Sequence, residues 1–300
     1  VNILYRLKDY IAIIITPLKL RVRNLSIYLV SHDRIEIRVV GTSVLQVVFS
    51  HAELLASEIV FLRQSAIKKL TTPQIITADI TYNLIPVGVL VCTHNAGVAL
   101  CDLEDETMQR IGARQVGRLL RTLHTQKMPG WGAPSVMNAW DMPNWRDALR
   151  KWLHLVTPIQ DYTSTAMQTA TYRLWHELIN DEYLASVQPV CIHGDVECQN
   201  IYVTIQNHVQ LEGLVRPGFL VAGDAMFDLA SIMRGSVSAA VRQGVIEGYT
   251  STIPLRSDEV ARIKRLTVLW RITDLIDQDD VTEPELADSI HAALDAMQKH

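Results

Sequence analysis

The sequence predicts a two-lobed α+β protein with a small β-rich amino-terminal lobe and a larger, mostly helical carboxy-terminal lobe. Three observations carry this prediction. Short strand-like runs bounded by turn residues fill most of the first ninety positions, helical spacing dominates after about position 106, and the small-residue stretch Thr93-His94-Asn95-Ala96-Gly97 separates the two like a hinge. The expected division is therefore 1–93 and 94–300.

The elements follow in order. The apolar run Ile11 to Thr16 ends at Pro17 and is too short for a membrane span or the apolar region of a signal peptide, so it is expected to be a buried strand. Leu25–Val30 and Ile35–Val40 flank the polar turn Ser31-His32-Asp33-Arg34 and read as a hairpin. From His51 to Ser65 the spacing becomes helical, with Leu55, Ile59 and Leu62 on one stripe. Pro73 and Pro86 bracket extended segments that end in Val87–Cys92. Helices are predicted over Glu106–Thr125, Trp145–Leu155 and about Ser164–Leu184, separated by the break Pro129-Gly130-Trp131-Gly132 and irregular sequence to Pro143. Strand-like Ile201–Thr204 and Gln210–Val215 come next, and two or three helices fill Phe227 to the end.

Composition narrows the function. Three hundred residues with 48% hydrophobic and 20% charged content describe an ordinary globular chain with room for two lobes and a cleft. A net charge of −4 gives no electrostatic reason to expect nucleic-acid binding, and no run is long enough to cross a membrane. Cys92, Cys101, Cys191 and Cys198 form no C-x-x-C pair and no zinc spacing, which fits buried free thiols in a reducing compartment. A cytoplasmic protein is expected. Oligomeric state cannot be read.

The stretch Val190-Cys191-Ile192-His193-Gly194-Asp195-Val196-Glu197-Cys198-Gln199-Asn200-Ile201-Tyr202-Val203 is the most informative. It places Asp195 and Asn200 five residues apart in a polar loop between an apolar run and a strand-like run. Phosphoryl transfer asks a protein mainly for positioning and charge neutralisation. In such a loop Asp195 can orient an attacking hydroxyl, and Asn200 can offer an amide oxygen to a magnesium ion. An ordinary Asp/Asn turn between two strands is the plain alternative.

Other segments extend the pattern. His193-Gly194-Asp195, four residues, Asn200; Leu120-Arg121-Thr122-Leu123-His124 at the end of a helix; Trp145-Arg146-Asp147-Ala148-Leu149; Gly223-Asp224-Ala225-Met226-Phe227-Asp228-Leu229-Ala230; and Gly248-Tyr249 occur in this order. Together they resemble the aminoglycoside phosphotransferase and choline kinase-like family of the protein-kinase-like superfamily. The likeness runs over nearly the whole chain, with Ala225 where the family has Pro.

The resemblance implies a fold, a reaction and a set of roles. ATP would lie under the hairpins against the hinge near Cys92 and His94, Mg2+ would bridge its phosphates, and a small hydroxyl-bearing acceptor would approach Asp195. Asn200 would bind the metal, while His193 and Asp224 would hold the catalytic loop. Glu58 would ion-pair with Arg38, where a Lys is more usual; both could equally be surface charges. The phosphate-covering segment Leu20-Arg21-Val22-Arg23-Asn24 has no Gly, so close backbone approach to phosphates is not evident, although Arg21 and Arg23 could make side-chain contacts.

The chief departure is Arg216. Eight residues before Asp224 the family places a metal-binding Asp, and the substitution changes the local charge by two units, enough to cost several kcal/mol at a cation site. Arg216 could pair with phosphates in the metal's stead, could mark a decayed site in which it is structural or points to solvent, or could reflect a slipped strand that brings Glu212 to the cleft. Two functions therefore stand open: a small-molecule kinase with a degenerate metal site, and a pseudokinase acting as a binding or regulatory module. The acidic run from Asp274 through Asp277, Asp279, Asp280, Glu283, Glu285, Asp288 and Asp295 is expected to be a solvated helix face. Trp131, Trp140 and Trp145 are expected in the core, with an acceptor-pocket lining as the alternative.

Overall fold

A computed structural model describes residues 3–31, 33–156, 165–185, 187–234 and 237–276. The acidic positions from Asp277 onward, the remainder of the hinge-distal carboxy terminus and the expected helix start at Ser164 lie outside the described residues.

The chain opens with helix α1 (Ile3–Ile15), not with a strand. Leu7, Tyr10, Ile11, Ile14 and Ile15 are all buried. They are spaced i, i+3, i+4, i+7 and i+8, the stripe of an amphipathic helix, so the run from Ile11 is only the apolar end of a longer helical pattern. Pro17 then starts a 3-10 turn, Thr16–Leu18, in place of further helix.

Five strands follow around a second helix: β1 (Asn24–Val30), β2 (Arg34–Val40), β3 (Val44–Ser50), α2 (Ala52–Ile67), β4 (Ile75–Asp79) and β5 (Gly88–Thr93). They form one sheet in the order β1-β2-β3-β5-β4 with every neighbouring pair antiparallel. Alternation sorts β2 into two faces. Ile35, Ile37 and Val39 turn outward and pack with α1, Val47, Val89 and Val91, whereas Arg34, Glu36 and Arg38 occupy the opposite face, toward the cleft. Val48 and Leu90 join Leu55, Ile59 and Leu62 of α2 in a second apolar cluster that continues into the helical region.

The second region contains β6 (Val98–Ala99), α3 (Glu106–Leu123), α4 (Trp145–Val156), α5 (Thr165–Asn180), β7 (Val190–Cys191), β8 (Ile201–Ile205), β9 (Val209–Leu214), β10 (Ala222–Gly223), α6 (Ala225–Ser231), α7 (Ala239–Tyr249) and α8 (Ser257–Ile276). Strands β6-β8-β9 form one small sheet and β10-β7 another. The Asp105 carboxylate caps α3 by accepting from the Thr107 N–H at 2.7 Å. Helices α3 and α7 approach so closely that a Cβ at Gly248 would lie 2.0 Å from the Arg114 carbonyl oxygen, which explains the glycine.

The core of this region is aromatic. Phe227 sits 5.5 Å from Trp145, 5.1 Å from Trp152 and 4.9 Å from Trp270, ring centre to ring centre. Trp145 is thus core, and Trp131 and Trp140 pack partly buried against the same cluster. Cys92 and Cys191 are buried, but Cys101 is exposed and Cys198 half-buried, so the expectation of four buried thiols holds for two. Among the described residues no helix is long and apolar enough to cross a membrane.

Candidate functional site

The polar loop identified in the sequence lies between β7 and β8 and is held from beneath by one carboxylate. The backbone N–H groups of His193 and Gly194 donate to Asp228 Oδ2 and Oδ1, each at 2.7 Å. His124 Nε2 lies 3.0 Å from the same Oδ2, and its Nδ1 lies 3.0 Å from the Tyr249 hydroxyl. Asp228 has no exposed surface, so its charge is satisfied wholly by these partners. Gly194 adopts φ +80°, and a Cβ there would come within 2.0 Å of the Leu220 carbonyl oxygen, so the loop needs glycine on both counts.

His193 makes its contacts from inside the core. It is fully buried, its Nε2 donates to the Val215 carbonyl at 2.9 Å, and Phe61 of α2 meets its ring edge-on. Burial holds the imidazole below its ordinary pKa and keeps it neutral. Asp224 plays a different part from the one expected. Its side chain caps α6 at the Met226 N–H and pairs with Arg262 at 2.9 Å, while the loop-holding role belongs to Asp228, one helical turn on. Burial raises the Asp224 pKa against the pull of Arg262.

Asp195 and Asn200 do converge. Asn200 is buried and its amide donates to the Asp195 carbonyl at 3.2 Å. The Asp195 carboxylate faces a cavity of about 600 Å3 whose walls include Arg34, Trp152, Asn200, Arg216, Phe219, Arg234 and Trp270. Sequence reasoning missed Arg234. This buried guanidinium donates to Asp195 Oδ1 at 3.1 Å, pairs with Glu197 and with Asp274 (3.3 Å), and stacks 3.7 Å above the Trp270 ring. Three acidic groups around the loop therefore have an arginine as their shared counter-ion. The signal was present in Arg234 lying six residues after Asp228, but nothing in its spacing alone reveals the contact.

Across the cleft the ion pair to Glu58 is made by Arg34, not Arg38. Arg34 Nη1 and Nη2 bind the Glu58 carboxylate at 2.7 and 3.1 Å. The register explains this. Arg34 lies opposite Ser50, next to the start of α2, whereas Arg38 lies opposite Gln46, four residues nearer the hinge on the same face. Arg38 is exposed there, and its charge helps burial to lower the His94 pKa.

Arg216 is fixed to this network. Its Nε and Nη2 both donate to Glu36, each at 3.0 Å, and Arg34 and Gln46 bind the same carboxylate. Glu36 has no exposed surface. Burial alone would push its carboxyl up, but the hydrogen bonds from Arg216 and the charge of Arg34 outweigh it and hold the pKa below the usual range. The four charges Arg34, Arg216, Glu36 and Glu58 sum to zero. Arg216 thus bridges the sheet to the segment that follows β9, in a left-handed conformation (φ 54°), and neither points to solvent nor reflects a slip that brings Glu212 inward. Glu212 instead accepts from Thr204 on the neighbouring strand at 2.8 Å.

Among the described residues no group of three or more His, Cys, Asp or Glu side chains is arranged to hold a metal ion. Near Asn200 the Arg234 guanidinium pairs with Asp195, and Arg216 pairs with Glu36. At the hinge, Cys92 is buried in β5 and His94 lies against Tyr28, its ring centre 6.1 Å away. Tyr28, Gln46, His94, Asn95, Tyr202 and Arg216 line a small cavity of about 10 Å3 beside the hinge.

Comparison with known proteins agrees with this architecture. The model of the phosphotransferase enzyme family (APH) matches residues 24–262. No match was found among curated proteins. Among solved structures, an apo thermostable mutant of aminoglycoside phosphotransferase APH(4)-Ia superposes with TM-score 0.68 at 14% identity, covering 95% of this chain and 98% of that one. The aminoglycoside phosphotransferase APH(2")-IIia, solved with GDP and kanamycin, gives TM-score 0.64 at 14% identity over 97% and 99%. Macrolide 2'-phosphotransferase MphH from Brachybacterium faecium gives 0.61 at 13% over 96% of both chains. At such identities the likeness establishes the two-lobed kinase-like fold.

Proposed function

Because this chain belongs to the phosphotransferase enzyme family, we propose that it keeps the family's acceptor cleft but has given up efficient magnesium-dependent phosphoryl transfer, acting as a pseudokinase that binds a small hydroxyl-bearing molecule. Residues 1–93 are the nucleotide lobe in this reading, and 94–300 carry the loop and the acceptor region of a cytoplasmic protein.

One observation carries the reading: Arg216, at the family's metal-binding position, is locked by two hydrogen bonds to a fully buried Glu36. A guanidinium there repels a divalent cation, and its partner holds it in place. The small hinge cavity, with Arg216 6.0 Å over the Tyr28 ring, supports the same reading. The cavity beside Asp195, in contrast, has the volume of a small-molecule site and aromatic walls at Trp152, Phe219 and Trp270.

An active small-molecule kinase is the second reading, favoured by the intact loop. Asp195 and Asn200 stand in the order and proximity that phosphoryl transfer uses, and relatives have been solved with nucleotides and aminoglycosides. ATP titration followed by thermal unfolding, with and without magnesium, separates the two. The pseudokinase reading expects no magnesium-dependent stabilisation.

A further inference from the structure

Two of the four cysteines meet beside the catalytic loop, where the reading above assigns them no role. Strand β6 pairs antiparallel with β8, Val98 opposite Val203 and Ala99 opposite Tyr202. Continuing in the same sense, the chain after β6 makes the turn Leu100–Asp102, and the chain before β8 makes the turn Cys198–Asn200. The two turns pack against each other and bring the Cys101 and Cys198 side chains into proximity. Cys101 is exposed and Cys198 half-buried, while Cys92 and Cys191 are buried elsewhere.

We propose that Cys101 and Cys198 form a thiol modification site, closing to an intramolecular disulfide when the protein meets a small-molecule disulfide. The solvent-exposed Cys101 opens the reaction. Cys198 is half-buried and less accessible to a dissolved disulfide, so it acts second. Cys101 loses its proton to solvent, and its sulfur attacks one sulfur of the disulfide. A mixed disulfide forms, and the departing thiolate takes up a proton. Cys198 then gives its proton to solvent and attacks the Cys101 sulfur, releasing the second thiolate, which is protonated in turn. Two protein thiols are oxidised and one disulfide is reduced to two thiols, with no net change in protons.

The new bond would tie the segment after the hinge to the loop itself. Cys198 lies two residues before Asn200 and three after Asp195, so oxidation would fasten the site to the hinge-proximal turn and reduction would release it. The proposal is independent of whether the cleft transfers phosphate.

The test uses the whole reduced chain, exposed to oxidised glutathione and then alkylated under denaturing conditions, with peptide mapping. The expected result is a fall from four alkylatable cysteines to two, Cys92 and Cys191, with one Cys101–Cys198 linked peptide and no retained glutathione. Dithiothreitol should restore all four. Cys198→Ser should trap glutathione on Cys101. A stable glutathione adduct on Cys101 in the unaltered protein, a linked peptide involving Cys92 or Cys191, or four cysteines still alkylatable after treatment would each overturn the proposal.

Discussion

Arg216→Ala is the perturbation that probes the cleft most sharply. It removes two hydrogen bonds of 3.0 Å to a carboxylate that has no exposed surface. Stripping one partner from a buried ion pair typically costs about 3–5 kcal/mol. Here Glu36 keeps Arg34 and Gln46, and the Arg216 side chain is 22% exposed, so the loss should be smaller. Charge-assisted hydrogen bonds contribute about 1.5–3 kcal/mol, which sets the expected destabilisation at about 2–3 kcal/mol. In a chain of this size that lowers Tm by about 3–5 °C. The assay is a double-mutant cycle of Arg216→Ala with Glu36→Gln, read by denaturant and thermal unfolding, with an expected coupling of about 2 kcal/mol.

The sign of the pH dependence follows from the depressed Glu36 pKa. The Arg216 contribution is fully present above the unfolded carboxyl value of about 4.3 and is lost as pH falls through the lower folded value. The Arg216→Ala penalty should therefore be constant near pH 7 and shrink below about pH 4.3. A coupling under about 0.5 kcal/mol at pH 7 would refute the latch and return Arg216 to the solvent.

Three further substitutions test the loop and the register. Arg34→Ala should destabilise by about 3–5 kcal/mol because it strands Glu58 and weakens Glu36, whereas Arg38→Ala should stay within about 0.5 kcal/mol; chemical denaturation that ranks them the other way would show the β2 register to be wrong. Asp228→Asn offers one acceptor to two backbone N–H groups and a mismatched amide to His124, so unfolding should show a loss of about 3–5 kcal/mol, with wild-type stability as the contrary result.

Much of this was legible in the residues, for physical reasons. The hairpin announced itself by a polar turn between alternating runs, and the loop by His193-Gly194-Asp195 with Asn200, because those positions need a left-handed glycine and fixed polar groups. Helix α1 was missed because Ile11 to Ile14 are consecutive apolar residues, and a short apolar run carries no period of its own. Arg34 and Arg38 share a strand face, so alternation could not choose between them; only the pairing of Arg34 with Ser50 does. Arg234 and Glu36 act through contacts between elements, at sequence separations of 39 and 180 residues, which no local pattern encodes. Asp228 stood inside a recognised segment, yet which of its two aspartates faced the loop became clear only from the geometry of α6.

At the centre of the proposed function stands Arg216, held on Glu36, whose positive charge would repel a divalent cation. The most direct measurement is the change in Tm on adding ATP with and without magnesium, compared between the unaltered chain and Arg216→Asp. The account predicts no magnesium-dependent shift in the unaltered protein and a shift in Arg216→Asp, where the repulsion becomes attraction. Magnesium-dependent stabilisation by ATP in the unaltered chain would contradict it.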